Sequence, residues 1–165
     1  MKLPFRLFLM ALLCLLITSS CKKETPEPEK NIFSAKIEDT LVEFPYLIAV
    51  KSDFMASETG KMMRIVGKTQ NRMIAINIHN YKGVGEYVLN DNMGQIAGSY
   101  SYTKKDQGVE KDEIYFLTEG SVKITSVTED RIKGFFFFKA TGYDEKTITE
   151  GQFSINITDD SKSQP

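Results

Sequence analysis

The chain has 165 residues, with 21 Lys and Arg against 22 Asp and Glu, and a formal charge of −1 at pH 7. That balance offers no concentrated basic face, so nucleic acid is not expected as a partner. One His and two Cys are too few for an ordinary zinc site, and neither a metal nor a cofactor is expected.

The chain opens on Lys2 and Arg6, followed by an apolar run from Leu7 to Ile17. The run falls short of the about 20 apolar residues that a membrane-spanning helix needs. Positive charge, a short apolar core and small residues after it read as an export signal over residues 1–20. The exit Thr18-Ser19-Ser20-Cys21 resembles a bacterial lipobox, with Thr18 where Leu is usual. The next residues, Lys22-Lys23-Glu24, resemble those of lipoproteins from Bacteroidetes-like bacteria. On this reading Cys21 is the lipid attachment residue and the protein is anchored to the membrane at the cell envelope, in the outer membrane. Cys14 leaves with the signal, so Cys21 is the one cysteine of the mature chain and no internal disulfide can form. Losing Lys2 and Arg6 takes the formal charge from −1 to −3.

Residues 21–30 continue as the lipidated Cys and a charged tether, Lys22–Lys30, in which Pro26 and Pro28 favour extended backbone. From Asn31 the pattern becomes apolar-polar alternation over short runs, with turn signals recurring between them, which is the period of strands. Phe33, Ala35 and Ile37 share one face, and Leu41–Phe44 follows across a turn at Glu38-Asp39-Thr40. Further strands are expected at Leu47–Phe54, Met62–Thr69, Met73–His79, Glu86–Leu89 and Ile96–Thr103, with turns at Ser57–Gly60, Asn80–Gly85 and Asn90–Gly94. Lys104–Asp112 reads as a charged loop. Glu113–Thr118 and Ser121–Thr128 read as two strands around a Glu119-Gly120 turn. Arg131–Ala140 and Thr147–Thr158 follow, and Asp159–Pro165 is a polar tail expected to be disordered. About ten strands over residues 31–158, joined by short connections, predict an all-β domain. An antiparallel meander must then fold over as a sandwich or flattened barrel, the alternative being a calycin-like barrel.

Four pieces, Phe33–Phe44, Gly85–Leu89, Glu119–Ala140 and Ile148–Ile155, resemble a family of uncharacterised Bacteroidetes lipoproteins with an all-β domain. The resemblance implies an envelope lipoprotein and supplies no catalytic residue.

The run Phe135–Phe138 stands out within the domain. At strand period Ile132, Phe136, Phe138 and Ala140 face the core, while Phe135 and Phe137 join Arg131, Lys133 and Lys139 on the opposite face. Phe135 and Phe137 are the candidate ligand or partner surface, unless another layer of the protein covers them. No catalytic residue is assigned. His79 reads as a polar strand end, Glu110, Asp112 and Glu113 as solvated charge, Asn90–Gly94 as a turn, and Met55, Met62, Met63 and Met73 as core filling rather than a pocket. The expectation is a non-enzymatic envelope protein, binding a small molecule, a glycan or an envelope protein. The alternative is an envelope hydrolase whose residues are assembled across strands.

Overall fold

A computed structural model describes residues 29–53, 61–89 and 95–159. The export segment, Cys21, the tether up to Pro28, Met55, the turns at Ser57–Gly60 and Asn90–Gly94, and residues 160–165 lie outside the described residues.

The fold is all-β. Ten strands run in chain order: β1 (Ile32–Ile37), β2 (Thr40–Glu43), β3 (Tyr46–Asp53), β4 (Lys61–Lys68), β5 (Arg72–Ile78), β6 (Gly85–Leu89), β7 (Ile96–Asp106), β8 (Val109–Val127), β9 (Arg131–Thr141) and β10 (Glu145–Asp159). They form one sheet in which β10, β3, β4, β5, β7, β8 and β9 pair in a ring. Pairing is antiparallel except where Ile157–Asp159 of β10 runs parallel to Ala49–Lys51 of β3.

The ring has two broad walls because β8 and β10 are long enough to serve both. Residues 109–116 of β8 pair with β7, and residues 116–127 pair with β9. The first wall is β2-β1-β10-β9-β8-β6, with β9 between the long strands, and the second is β3-β4-β5-β7 with the first half of β8. Most neighbours follow chain order, as in a meander. The departures are β10 between β1 and β3, β5 against β7, and β6 on the edge of β8.

Apolar alternation places the core between the walls. Ile74, Ile76 and Ile78 of β5 are fully buried, as are Ile132 and Ala140 of β9, Ile148 of β10 and Met63 of β4. The centre is aromatic. The Phe33 and Phe44 rings meet edge to face at 5.2 Å, Phe33 lies 5.2 Å from Phe136, and Phe136 stacks at 5.8 Å on Phe138 and 6.3 Å on Phe153. Such pairs add about 0.5–1.5 kcal/mol each beyond the area they bury.

Two expectations about connections are corrected. Lys104–Asp112 is a continuing hairpin rather than a charged loop: Thr103 pairs with Asp112, Lys105 with Glu110 and Asp106 with Val109. Gln107 and Gly108, with φ of 48° and 86°, make the two-residue reversal that matches strand twist. Residues 104–112 are all exposed, so this end of the hairpin is solvated on both sides and carries charge on both. Glu119-Gly120 is a bulge inside one strand, β8, rather than a turn between two; the register with β9 shifts between Leu117 and Glu119. At the first hairpin, Ile37 pairs with Thr40, and Glu38 and Asp39 take φ of 48° and 63° where Asp-Gly is usual.

Candidate functional site

The outer face of β9 begins with what its inner face requires. Phe136 sits opposite Gly151 of β10, Phe153 of β10 sits opposite Gly134 of β9, and Phe138 sits opposite Gly120 of β8. Each ring lies over a glycine backbone. A Cβ on Gly151 would come 2.5 Å from the Phe136 ring, one on Gly134 2.6 Å from Phe153, and one on Gly120 2.7 Å from Phe138. Gly120 and Gly151 each end a Thr-Glu-Gly triplet, Thr118–Gly120 and Thr149–Gly151. Both triplets carry a register shift, so β9 is flanked on each side by a bulge. The bulges re-aim Glu119 and Glu150 outward, where Glu119 pairs with Lys139 at 2.9 Å and Glu150 with Lys36 at 2.6 Å.

With Phe136 and Phe138 seated inward at 3% and 1% exposure, Phe135 and Phe137 must point out, and they are 54% and 53% exposed. No layer among the described residues covers them. Phe135 stands between Lys123 of β8 and Gln152 of β10, and Phe137 stands beside Ser121 of β8. Two residues along a strand places the rings about 6.7 Å apart. A groove of about 500 Å³ runs beside them, bordered by Glu86, Ser121, Lys123, Glu150 and Gln152. The Ser121 hydroxyl donates to the Glu86 carboxylate at 3.0 Å, and the Gln152 amide donates to the Ser34 hydroxyl at 3.1 Å. The surface is therefore a rigid aromatic pair with a hydroxyl, an amide, carboxylates and an ammonium around it. That chemistry suits contact and hydrogen bonding.

The residues just before β1 reach the same face, a feature the sequence reading missed. Arg131 and Lys133 are the outward residues of β9 that precede Phe135. The Arg131 guanidinium donates to the backbone carbonyls of Glu29 and Lys30, to the Asn31 side chain, and to the Ser154 hydroxyl at 2.8 Å. Lys133 pairs with the Glu29 carboxylate at 2.6 Å. That hydrogen bond and charge, with Arg131 adding to them, hold the Glu29 carboxyl below the usual carboxylate value of 4.5. The only advance signal for this clamp is the alternation that puts Arg131 and Lys133 outward, since their partners lie about a hundred residues away.

The other candidates are scattered. His79 follows β5, half-buried, with its backbone N–H donating to the Gln95 carbonyl at 2.7 Å. Strand alternation puts Glu113 on the opposite side of β8 from Glu110 and Asp112, so the three carboxylates do not gather at one point. Asp112 accepts the Thr103 hydroxyl at 2.6 Å, while Glu113 accepts the buried Tyr115 hydroxyl at 2.8 Å. Burial, and then the Glu113 and Asp144 carboxylates, push the Tyr115 hydroxyl up, so it stays protonated. Burial pushes the Tyr81 hydroxyl up to about 12. The methionines separate: Met63 is core, while Met62 and Met73 border a second outer groove with Tyr46, Ile48 and Val66. Among the described residues no three His, Cys, Asp or Glu side chains gather as metal ligands.

No curated protein and no solved structure matches the chain. Residues 49–158, which hold β4 to β9 and most of β3 and β10, match a family described as a domain of unknown function (DUF6252). The chain belongs to that family.

Proposed function

We propose that this DUF6252 member is a lipid-anchored, non-enzymatic module of the cell envelope, held at the outer membrane through Cys21 and acting by contact. The observation that carries the reading is the exposed Phe135–Phe137 pair. Two large rings in the open, mounted on a strand whose alternate rings lock into the core, make a preformed contact surface with little to lose in ordering. The clamp at Glu29–Asn31 supports the anchor reading, because it delivers the residues next to the tether onto the domain at a defined place. The finer resemblance, to lipoproteins of Bacteroidetes-like bacteria, rests on Thr18–Cys21 and on Lys22–Glu24. An unpaired thiol in an exported protein is a liability, and acylation removes it.

Metabolic labelling with an alkyne fatty acid tests the anchor. The intact protein is expected to take up label and sediment with membranes, and Cys21→Ser to lose both. Label that persists in Cys21→Ser, or a soluble wild-type protein, would overturn the reading.

A further inference from the structure

We propose that the surface met by Phe135 and Phe137 is the lipid surface that holds the anchor. The inference rests on reading Cys21 as the anchor point and deepens it by naming the partner.

The first argument is reach. Glu29 is fixed against Lys133, the outward residue two before Phe135 on the same strand. Seven residues lie between it and Cys21, and the eight steps along the chain reach about 25 Å when extended. Two stacked sheets lie about 10 Å apart, so crossing the domain with its outer side chains takes about 20 Å. Turning the second wall toward the membrane would use nearly the whole tether. Turning the first wall toward it costs no length, because the clamp already sits there. The tether therefore holds the Phe135–Phe137 face nearest the lipid.

The second argument is the chemistry of the face. Four of its carboxylates have partners, Glu29 with Lys133, Glu119 with Lys139, Glu150 with Lys36 and Glu86 with the Ser121 hydroxyl, while Glu43 and Glu145 lie farther out on the face, beside Ser34 and Thr141. Lys123, directly opposite Phe135, has no ion-pair partner among the described residues. Exposed Phe rings with Lys123 across the strand and Lys133 and Lys139 before and after them match the interfacial pattern, with rings entering the acyl boundary and ammonium groups staying at the headgroups. The contact can be weak and still be populated, because the anchor converts it to an intramolecular event at millimolar effective concentration.

The second wall provides the control. It also exposes apolar side chains, Tyr46 at 63%, Ile48 at 52% and Phe116 at 66%. Exposure alone would favour it equally; the position of the clamp does not.

The chain contains no Trp, so a single introduced one is a private reporter. Cys21–Pro165 carrying Phe135→Trp, Phe137→Trp or Ile48→Trp is coupled through its one thiol to maleimide lipid in phosphatidylethanolamine–phosphatidylglycerol vesicles. Coupling supplies the anchor whether or not the cell lipidates Cys21, so a failure here is distinct from a failure in the labelling experiment. The expected result is a blue shift and quenching by brominated lipid for Phe135→Trp and Phe137→Trp, and neither for Ile48→Trp. Replacing both rings, Phe135→Ser with Phe137→Ser, should lower the fraction in contact by about tenfold or more, read as loss of lipid quenching in a Lys123→Trp background. Quenching equal on both walls, greater for Ile48→Trp, or absent everywhere would overturn the proposal. So would a blue shift of Phe135→Trp already complete without vesicles, which would mean the protein covers the rings itself.

Discussion

The two faces of β9 carry the same residue in different surroundings. Phe136 and Phe138 are buried, stacked on each other and seated over glycines of the flanking strands, whereas Phe135 and Phe137 are more than half exposed. Their difference separates what the fold requires from what it leaves available. The inward pair is fixed by Gly151 and Gly120, where no other residue leaves room for a ring. The outward pair has no such requirement, since polar residues at 135 and 137 would serve the strand equally well. A large apolar residue that folding does not need is best explained by a contact made after folding.

Substitutions should enforce that separation. The largest effect is expected at the inward pair, where Phe136→Ala or Phe138→Ala removes a ring from the aromatic centre and should cost about 3–5 kcal/mol. Urea unfolding would show this as a lower midpoint at constant slope. Gly151→Val attacks the same centre from the other strand by driving Cβ into the Phe136 ring, and about 1–3 kcal/mol is expected from the forced shift. If Gly151→Val is harmless, the ring is not seated as described.

The clamp beside the outward pair should respond to pH. The Glu29 carboxyl is held below its free value of 4.5 by Lys133 and Arg131. Its contribution is therefore complete above that value and disappears as pH falls through the lowered one. A spin label on Cys21 should broaden resonances near Lys133 at pH 7 and broaden them less in acid, where the Arg131 contacts to the Glu29 and Lys30 carbonyls persist, and Glu29→Gln should weaken that broadening at pH 7 to a similar extent. The smallest effect is expected for the outward pair: Phe135→Ser with Phe137→Ser should leave stability within about 0.5 kcal/mol.

Much of this arrangement was legible in the sequence. Phe33, Ala35 and Ile37, then Ile74, Ile76 and Ile78, then Phe136 and Phe138 all point inward as their alternation requires. Two local signals misled. Glu119-Gly120 has turn composition, yet its glycine lies beneath a ring from the next strand, a contact that only the register discloses. Lys104–Asp112 has loop composition, yet its charges continue on either side of a two-residue reversal. The parallel closure of β10 on β3 and the capture of Glu29 by Arg131 and Lys133 join residues about a hundred positions apart, beyond any local pattern. The repeated Thr-Glu-Gly was the available clue that Thr118–Gly120 and Thr149–Gly151 play the same part on either side of one strand.

The separation of the two faces can be tested in one double variant. Phe135→Ser with Phe137→Ser would be measured for its urea midpoint and, after coupling through Cys21 to vesicles, for hydrogen-exchange protection of β9 and β10. The expected result is an unchanged midpoint with lipid-dependent protection lost. A fall in midpoint comparable to that of Phe136→Ala, or protection that survives the double substitution, would contradict the account.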